Sequence, residues 1–306
     1  MKMKTPKVSI CIPTYNNPEE VQRLLASIAL QTFQDVEVII TDDSTNYEIE
    51  KMAMSIERGE HETLSSLSNN LRYIHNEKPL GHIFNWNRAL ELAKGEYIKI
   101  MFSDDWFTDK DSLEKMTGLL DRDPQASMAF CGTMQVSDKR TWSRAATPEY
   151  VEDLKNDWRT LFLGNQIGAP SATIYRACGA YFDERSNWAS DMFLYFEILK
   201  RNPGFAFSPE PLISIGIHEE QYTGTFTEKD IRKYRDSLLM YQKYGLRESE
   251  VCRQEMLALT VKYRQGWKTA KECGAGFGEY LKARLHWFRK NTVLGYWNGL
   301  KHKLGV

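Results

Sequence analysis

The chain has 306 residues, a formal net charge of −1, 42% apolar and 26% charged side chains. That length suits one large α/β domain with an appendage, and the near-neutral charge removes any global electrostatic case for nucleic acid. The five cysteines (Cys11, Cys131, Cys178, Cys252, Cys273) have no metal-ligand spacing and suit a reducing, cytoplasmic setting.

Met1–Lys4 leads toward a strand with no signal-peptide h-region, and no apolar run is long enough to span a bilayer. Val8–Ile12 reads as a short buried strand ended by Pro13. Asn17 is the expected N-cap of the next helix, with Pro18 first inside it and Glu19–Glu20 in its first turn. Val21, Leu24, Leu25, Ile28 and Ala29 then share one helical face. Val36–Ile40 and Leu71–His75 read as strands, and the polar stretch between them has room for a helix. A helix is expected from Ile83 to Lys94, stopped by Gly95. A strand is expected from Tyr97 to Phe102, followed by a helix near Asp111 that buries Leu113, Met116, Leu119 and Leu120. This alternation predicts a mixed, mostly parallel sheet flanked by helices.

Ser127–Cys131, Ser171–Tyr175 and Pro211–Ile217 read as further strands, and Asp191–Arg201 as a helix ended by Asn202-Pro203-Gly204. Beyond Glu228 the chain reads as helical, with Ile231, Tyr234, Leu238 and Tyr241 at helical spacing. The expected division is 1–227 for the main domain, split into 1–125 and 126–227, and 228–306 for a helical C-terminal region. From Lys262 onward the chain is basic and carries Trp267, Trp287, Phe288, Tyr296 and Trp297. Such a mixture can lie on an anionic membrane surface or pack as a solvated helical appendage.

Two acidic pairs, Asp42-Asp43 and Asp104-Asp105, each follow a strand-like apolar run. Carboxylates past the carboxyl ends of parallel strands gather in the crevice where open α/β sheets bind ligands. Paired carboxylates there need a cation or hydrogen-bond donors to offset their repulsion. Thr14 and Tyr15 lie at the same edge, a hydroxyl and a ring able to bond and stack a nucleobase. Asp42 can accept from a pyrimidine ring N–H and Asp43 can fix a loop or ribose, while the competing reading makes both of them turn caps. Asp104 and Asp105 are candidate ligands for magnesium or manganese.

Taken in order, these segments resemble the family 2 glycosyltransferases. The match runs through Val8 to Asn16, Leu24 to Phe33, Glu37 to Ser44, Asn76 to Gly81, Ala93 to Ile98 and Ser103 to Asp105. The resemblance implies a GT-A, Rossmann-like nucleotide-binding fold, an inverting mechanism and a nucleotide-diphosphate sugar donor, UDP- or dTDP-type. It implies nucleotide contacts from Pro13, Thr14, Tyr15, Asn16, Asp42, Asp43, Asn87 and Ser103. It aligns the second acid of the family's Asp-x-Asp motif with Asp104, whereas Phe102 stands at the first acid. Trp86 stands where the family often has Arg, before Asn87. Asp191 matches the family's catalytic base; the plainer reading is a helix N-terminal acid. Gly168, Ala169, Pro170 and Ser171, with Trp188, match the sugar and acceptor pocket. His218 matches a histidine near the metal and diphosphate, although Gly216 stands where the family often has Arg.

The reading is a metal-dependent enzyme that moves a sugar to a glycan or lipid-linked acceptor, in polysaccharide synthesis at the cytoplasmic side of a membrane. A nucleotidyltransferase acting on sugar phosphates is the alternative, although no glycine-rich phosphate loop follows the first strand. A catalytically silent nucleotide-sugar- or glycan-binding module is the other.

Overall fold

A computed structural model describes residues 5–218 and 226–289. Strand β1 (Val8–Thr14) is buried along its whole length, as an apolar β-prone run covered on both faces should be. It pairs in parallel with β2 (Val36–Asp42) on one side and with β4 (Tyr97–Ile100) on the other. β3 (Leu71–His75) adds in parallel to β2. The crossovers carry α1 (Pro18–Ala29), α2 (Glu48–Glu57) and α3 (His82–Leu92). Because β1, β2 and β4 run the same way, Thr14, Asp42 and the loop after Ile100 emerge at one sheet edge.

The second half of the sheet is built around β6 (Met128–Val136), which pairs in parallel with β9 (Phe205–Gly216) and antiparallel with β7 (Thr141–Arg144) and β8 (Thr173–Arg176). β8 joins the halves by pairing with β4, and β5 (Asp105–Phe107) pairs with β9. The strand order is β3-β2-β1-β4-β8-β6-β9-β5, with β7 beside β6. α4 (Ser112–Arg122), α5 (Pro148–Asn156) and α6 (Ser190–Arg201) complete this part. The result is a mixed sheet whose long ladders are parallel, flanked by helices.

Several expectations change in detail. β4 stops at Ile100, and Asp105 instead opens the separate strand β5. Phe102 leaves the strand because its N–H is taken by the Ser171 hydroxyl, 3.0 Å away. Asn17 makes no side-chain cap; its amide donates to Glu20 (2.7 Å) and to Ser103 Oγ. α3 ends at Leu92, two residues before the expected end, with Ala93 already extended. Gly95 therefore answers to packing and not to a left-handed cap. A Cβ there would lie 2.5 Å from Ser9 N and 2.8 Å from Val8 C on β1. Leu119 is only partly buried. β7 and α5 lie in a stretch whose pattern the sequence leaves loose. Thr147 caps α5 by accepting from Tyr150 N–H, with Pro148 in its first turn.

Among the described residues the chain divides into two compact units. The first holds 5–161, 165–186 and 190–218, and the second holds 162–164, 187–189 and 226–289. The second contains α7 (Ile231–Lys243), α8 (Glu250–Lys262), α9 (Trp267–Glu272) and a further helix over 277–289. Within it Asp236 of α7 accepts from the N–H groups of Asn187, Trp188 and Ala189 at 3.0, 2.7 and 3.0 Å. Leu257, Val261, Ala270, Ala275 and Tyr280 form its small core, with Trp267 and Trp287 packed against it. No helix among the described residues is long and apolar enough to cross a membrane. Tyr296 and Trp297 lie outside the described residues.

Gly95→Ala forces a methyl group into the β1 backbone. It should lower the unfolding free energy by about 2–3 kcal/mol, read as a lower midpoint in urea denaturation with an unchanged slope.

Candidate active site

Asp42 and Asp43 sit at the expected sheet edge, yet neither carboxylate is open to it. Asp42 is 0% exposed. Its Oδ1 accepts from the Thr14 hydroxyl (3.0 Å), Ser44 N–H (2.9 Å) and the Ser44 hydroxyl (2.5 Å), and its Oδ2 accepts from the Tyr73 hydroxyl (2.7 Å). Asp43 accepts from the Asn76 amide (2.6 Å) and from the N–H groups of Leu80 and Gly81 (3.0 and 2.8 Å). Buried carboxylates need such donors. Asp42 and Thr14, expected as nucleotide contacts, thus bond each other and neighbouring segments at this edge. Pro13 is buried within β1. Tyr15, 57% exposed, is the ring this edge presents. Beside it Asn16 takes a left-handed φ of 53° and its Oδ1 accepts from Thr45 N–H (3.0 Å) and the Asn46 amide (3.2 Å).

The second acidic pair divides. Asp104 Oδ2 lies 3.3 Å from His218 Nε2, and Glu20 Oε1 lies 4.0 Å from the same nitrogen. Asp105 is buried, and one of its oxygens has no partner. Burial, with the Asp104 charge beside it, holds its carboxyl well above the usual carboxylate range, opposed by the Ser171 hydroxyl, Lys99 and Gly216 N–H. Lys99 is equally buried, its ammonium donating to the carbonyls of Ser171 and Ile100, and burial pushes it down to about 7. Asp105, expected as a metal ligand, is thus placed inward, whereas Asp104 is partly exposed. No group of three His, Cys, Asp or Glu able to hold a metal occurs among the described residues.

Arg23 is a residue the sequence reading missed. Its guanidinium stacks on Trp106 at 4.1 Å and donates to the Asp104 carbonyl at 3.0 Å. Gly216 N–H donates to the same carbonyl at 3.2 Å. A Cβ at position 216 would lie 2.5 Å from that oxygen and 3.7 Å from Arg23 Nη2. The glycine that replaces the family's arginine is thus required by close approach, and α1 brings a cation to the same spot. The other two departures also meet: Trp86 packs on Phe102 (4.8 Å between ring centroids) and on Phe182 (5.0 Å).

Asn87, another expected nucleotide contact, bonds within the protein. Its amide donates to the Phe182 carbonyl (3.0 Å) and accepts from Phe182 N–H (2.9 Å), a buried clamp on the chain. Ser103 Oγ is engaged by Asn17.

Asp191 is the second residue of α6. Its Oδ1 accepts from Met192 N–H (2.8 Å) and its Oδ2 from the Asn165 amide (2.6 Å). Burial pushes its carboxyl up to about 6 despite these donors. Asn165 also donates to the Gly168 carbonyl and accepts from Gly168 N–H, each at 3.1 Å. Gly168 has φ +100°, which favours glycine, and its carbonyl also accepts from the Tyr195 hydroxyl at 2.9 Å. From there the chain runs through Ala169 and Pro170 to Ser171, whose hydroxyl receives Phe102 N–H. Ser171, expected in the sugar and acceptor pocket, is fully buried and anchors this backbone. Asn165 had no signal beyond its type. Trp188 belongs to the second unit, where the Lys233 ammonium lies 4.9 Å from its ring.

The mixed, mostly parallel sheet flanked by helices, with acids past the ends of its strands, has the architecture of the GT-A class. The model of glycosyl transferase family 2 matches residues 9–186, more than half of the chain, and the chain belongs to that family. An uncharacterised protein of Mycobacterium tuberculosis is 30% identical over 183 residues, 56% of this chain and 54% of its own length. The GalNAc(5)-diNAcBac-PP-undecaprenol beta-1,3-glucosyltransferase of Campylobacter jejuni is 27% identical over 100 residues, 33% of this chain and 30% of its own. The matched part of the chain thus spans about half or less of these two relatives. Among solved structures, S. aureus TarS in complex with UDP-GlcNAc has a TM-score of 0.62 at 19% identity, covering 90% of this chain and 79% of that one. Mannosyltransferase PcManGT of Pyrobaculum calidifontis, in complex with GDP-Man and Mn2+, has a TM-score of 0.59 at 16% identity, covering 98% and 81%. At these identities the likeness shows the GT-A fold alone.

Asn87→Ala leaves the buried N–H and carbonyl of Phe182 without their partner. It should cost about 2 kcal/mol of stability in chemical denaturation while changing nucleotide-sugar affinity less than about twofold.

Proposed function

We propose that this protein transfers a sugar, with inversion, from a nucleotide-diphosphate donor to a hydroxyl of a glycan or lipid-linked acceptor. The observation that carries this reading is the placement of Asp191. Asn165 holds its carboxylate and the same loop that anchors, through Ser171, the chain leading to Asp104. A base and a leaving-group site are thereby tied to one short segment. A carboxylate titrating near 6 is deprotonated at neutral pH and still basic enough to take the acceptor proton as the oxygen attacks. Met192 N–H and the Asn165 amide fix its orientation. Tyr15 offers the nucleobase a stacking face.

The donor set at Asp104 fits a hard divalent cation in the donor-bound state. Magnesium and manganese are commonly held by one or two carboxylates together with substrate phosphates, and Asp104 with His218 supplies an oxygen and a nitrogen. Such an ion, when bound, neutralises charge on the departing diphosphate. Arg23 holds the Asp104 peptide in place beside it. The UDP or GDP and Mn2+ in the neighbouring complexes support, for this chain, a nucleoside diphosphate donor with a metal.

Asp191→Asn should fold and bind donor normally, yet lose on the order of 10²- to 10⁴-fold in kcat. Transfer should release nucleoside diphosphate; pyrophosphate would favour the nucleotidyltransferase alternative, and donor binding without turnover a silent module. In the wild type, activity should rise through about pH 6 as Asp191 loses its proton and stay level above. Asn165→Ala removes a donor to the charged form. It should move that rise to higher pH and lower kcat by about 10- to 100-fold, the worth of a hydrogen bond to a charged group.

A further inference from the structure

The helix over 277–289 in the second unit carries two apolar faces. One of them, Tyr280 with Ala283 and Trp287, packs on the small core of that unit. The other is outward: Phe277, Leu281, Leu285 and Phe288 are exposed by 56, 42, 58 and 63%. At 3.6 residues per turn these four fall within about 80° of one another. They make one stripe, not a scatter of surface residues, and such stripes mark interaction sites.

The charges around the stripe say what covers it. On the same wheel Lys282 and Arg289 lie about 40–60° beyond one edge, and Arg284 about 20° beyond the other. All three are exposed. The helix's acid, Glu279, lies on the far side and pairs with Arg253 at 3.2 Å. From Lys262 to Val306 the chain has ten Lys and Arg against two Glu. An apolar stripe edged by cations matches the boundary between acyl chains and anionic headgroups. A second copy docked through the same stripe would bring the two sets of cations together, at an electrostatic cost.

We infer that the helix over 277–289 is a membrane-docking face: Phe277, Leu281, Leu285 and Phe288 enter the headgroup boundary of an anionic bilayer, and Lys282, Arg284 and Arg289 contact its acidic lipids. This holds whether or not the sugar-transfer reading does, since vesicle binding needs no turnover.

The test is co-sedimentation of the full chain with phosphatidylcholine vesicles, with and without about 30% phosphatidylglycerol, a content that gives a markedly negative surface. The wild type should bind the anionic vesicles, less so at high salt. A Leu281→Ser/Leu285→Ser variant, altered only at exposed positions, should keep its circular dichroism and lose at least about tenfold in partitioning. Lys282→Gln/Arg284→Gln/Arg289→Gln should lose its preference for the anionic vesicles. Absence of wild-type binding, or equal binding by the leucine variant, overturns the inference. So does a wild-type dimer in sedimentation velocity that becomes monomeric in the leucine variant without any vesicle binding, which assigns the stripe to self-association.

Discussion

One asparagine holds the site together. Asn165 uses its amide on three groups at once: the Asp191 carboxylate, and both the N–H and the carbonyl of Gly168. Gly168 can meet that geometry because it tolerates a positive φ. The loop it opens ends at Ser171, which catches the backbone where β4 breaks off before Asp104. This short, hydrogen-bonded strap links the carboxylate of Asp191, the proposed base, to the backbone at Phe102, two residues before Asp104. Rigid support of this kind is what a displacement reaction needs, since misplacement by an ångström can cost two orders of magnitude.

The four acids at the sheet edge do different work. Asp42 and Asp43 are framework: each gathers hydroxyls and N–H groups from chain segments far apart in sequence, and so shapes the crevice. Asp105 is drawn inside beside Lys99, where burial drives both toward their neutral forms. Asp104 alone stays at the edge, its peptide pinned by Arg23 and Gly216 and its carboxylate beside His218. In the proposed metal site this single carboxylate suits a cation shared with the donor's phosphates.

In the parallel half of the fold β1 and β2 were legible as apolar runs and α1 as a 3.6-residue stripe, whereas α2 lies in a polar stretch. β7 escaped notice because an exposed edge strand such as Thr141–Arg144 shows no apolar pattern. The crevice was legible from where the acids fall, but the division of labour among them was not. That depends on partners such as Tyr73, Asn76, Leu80 and Ser171, which sequence spacing does not bring together. Asn165 and Arg23 were invisible for the same reason. The departures from the family pattern, Trp86, Phe102 and Gly216, were visible one by one; that Trp86 and Phe102 touch, and that Arg23 lies beside Gly216, required coordinates.

The proposed reaction is a single displacement driven by one carboxylate base. The configuration of the product's anomeric carbon tests it most directly, read as the one-bond C1–H1 coupling in the NMR spectrum of the first transfer product. The account predicts the configuration opposite to the donor's. A product that keeps the donor's configuration would contradict it.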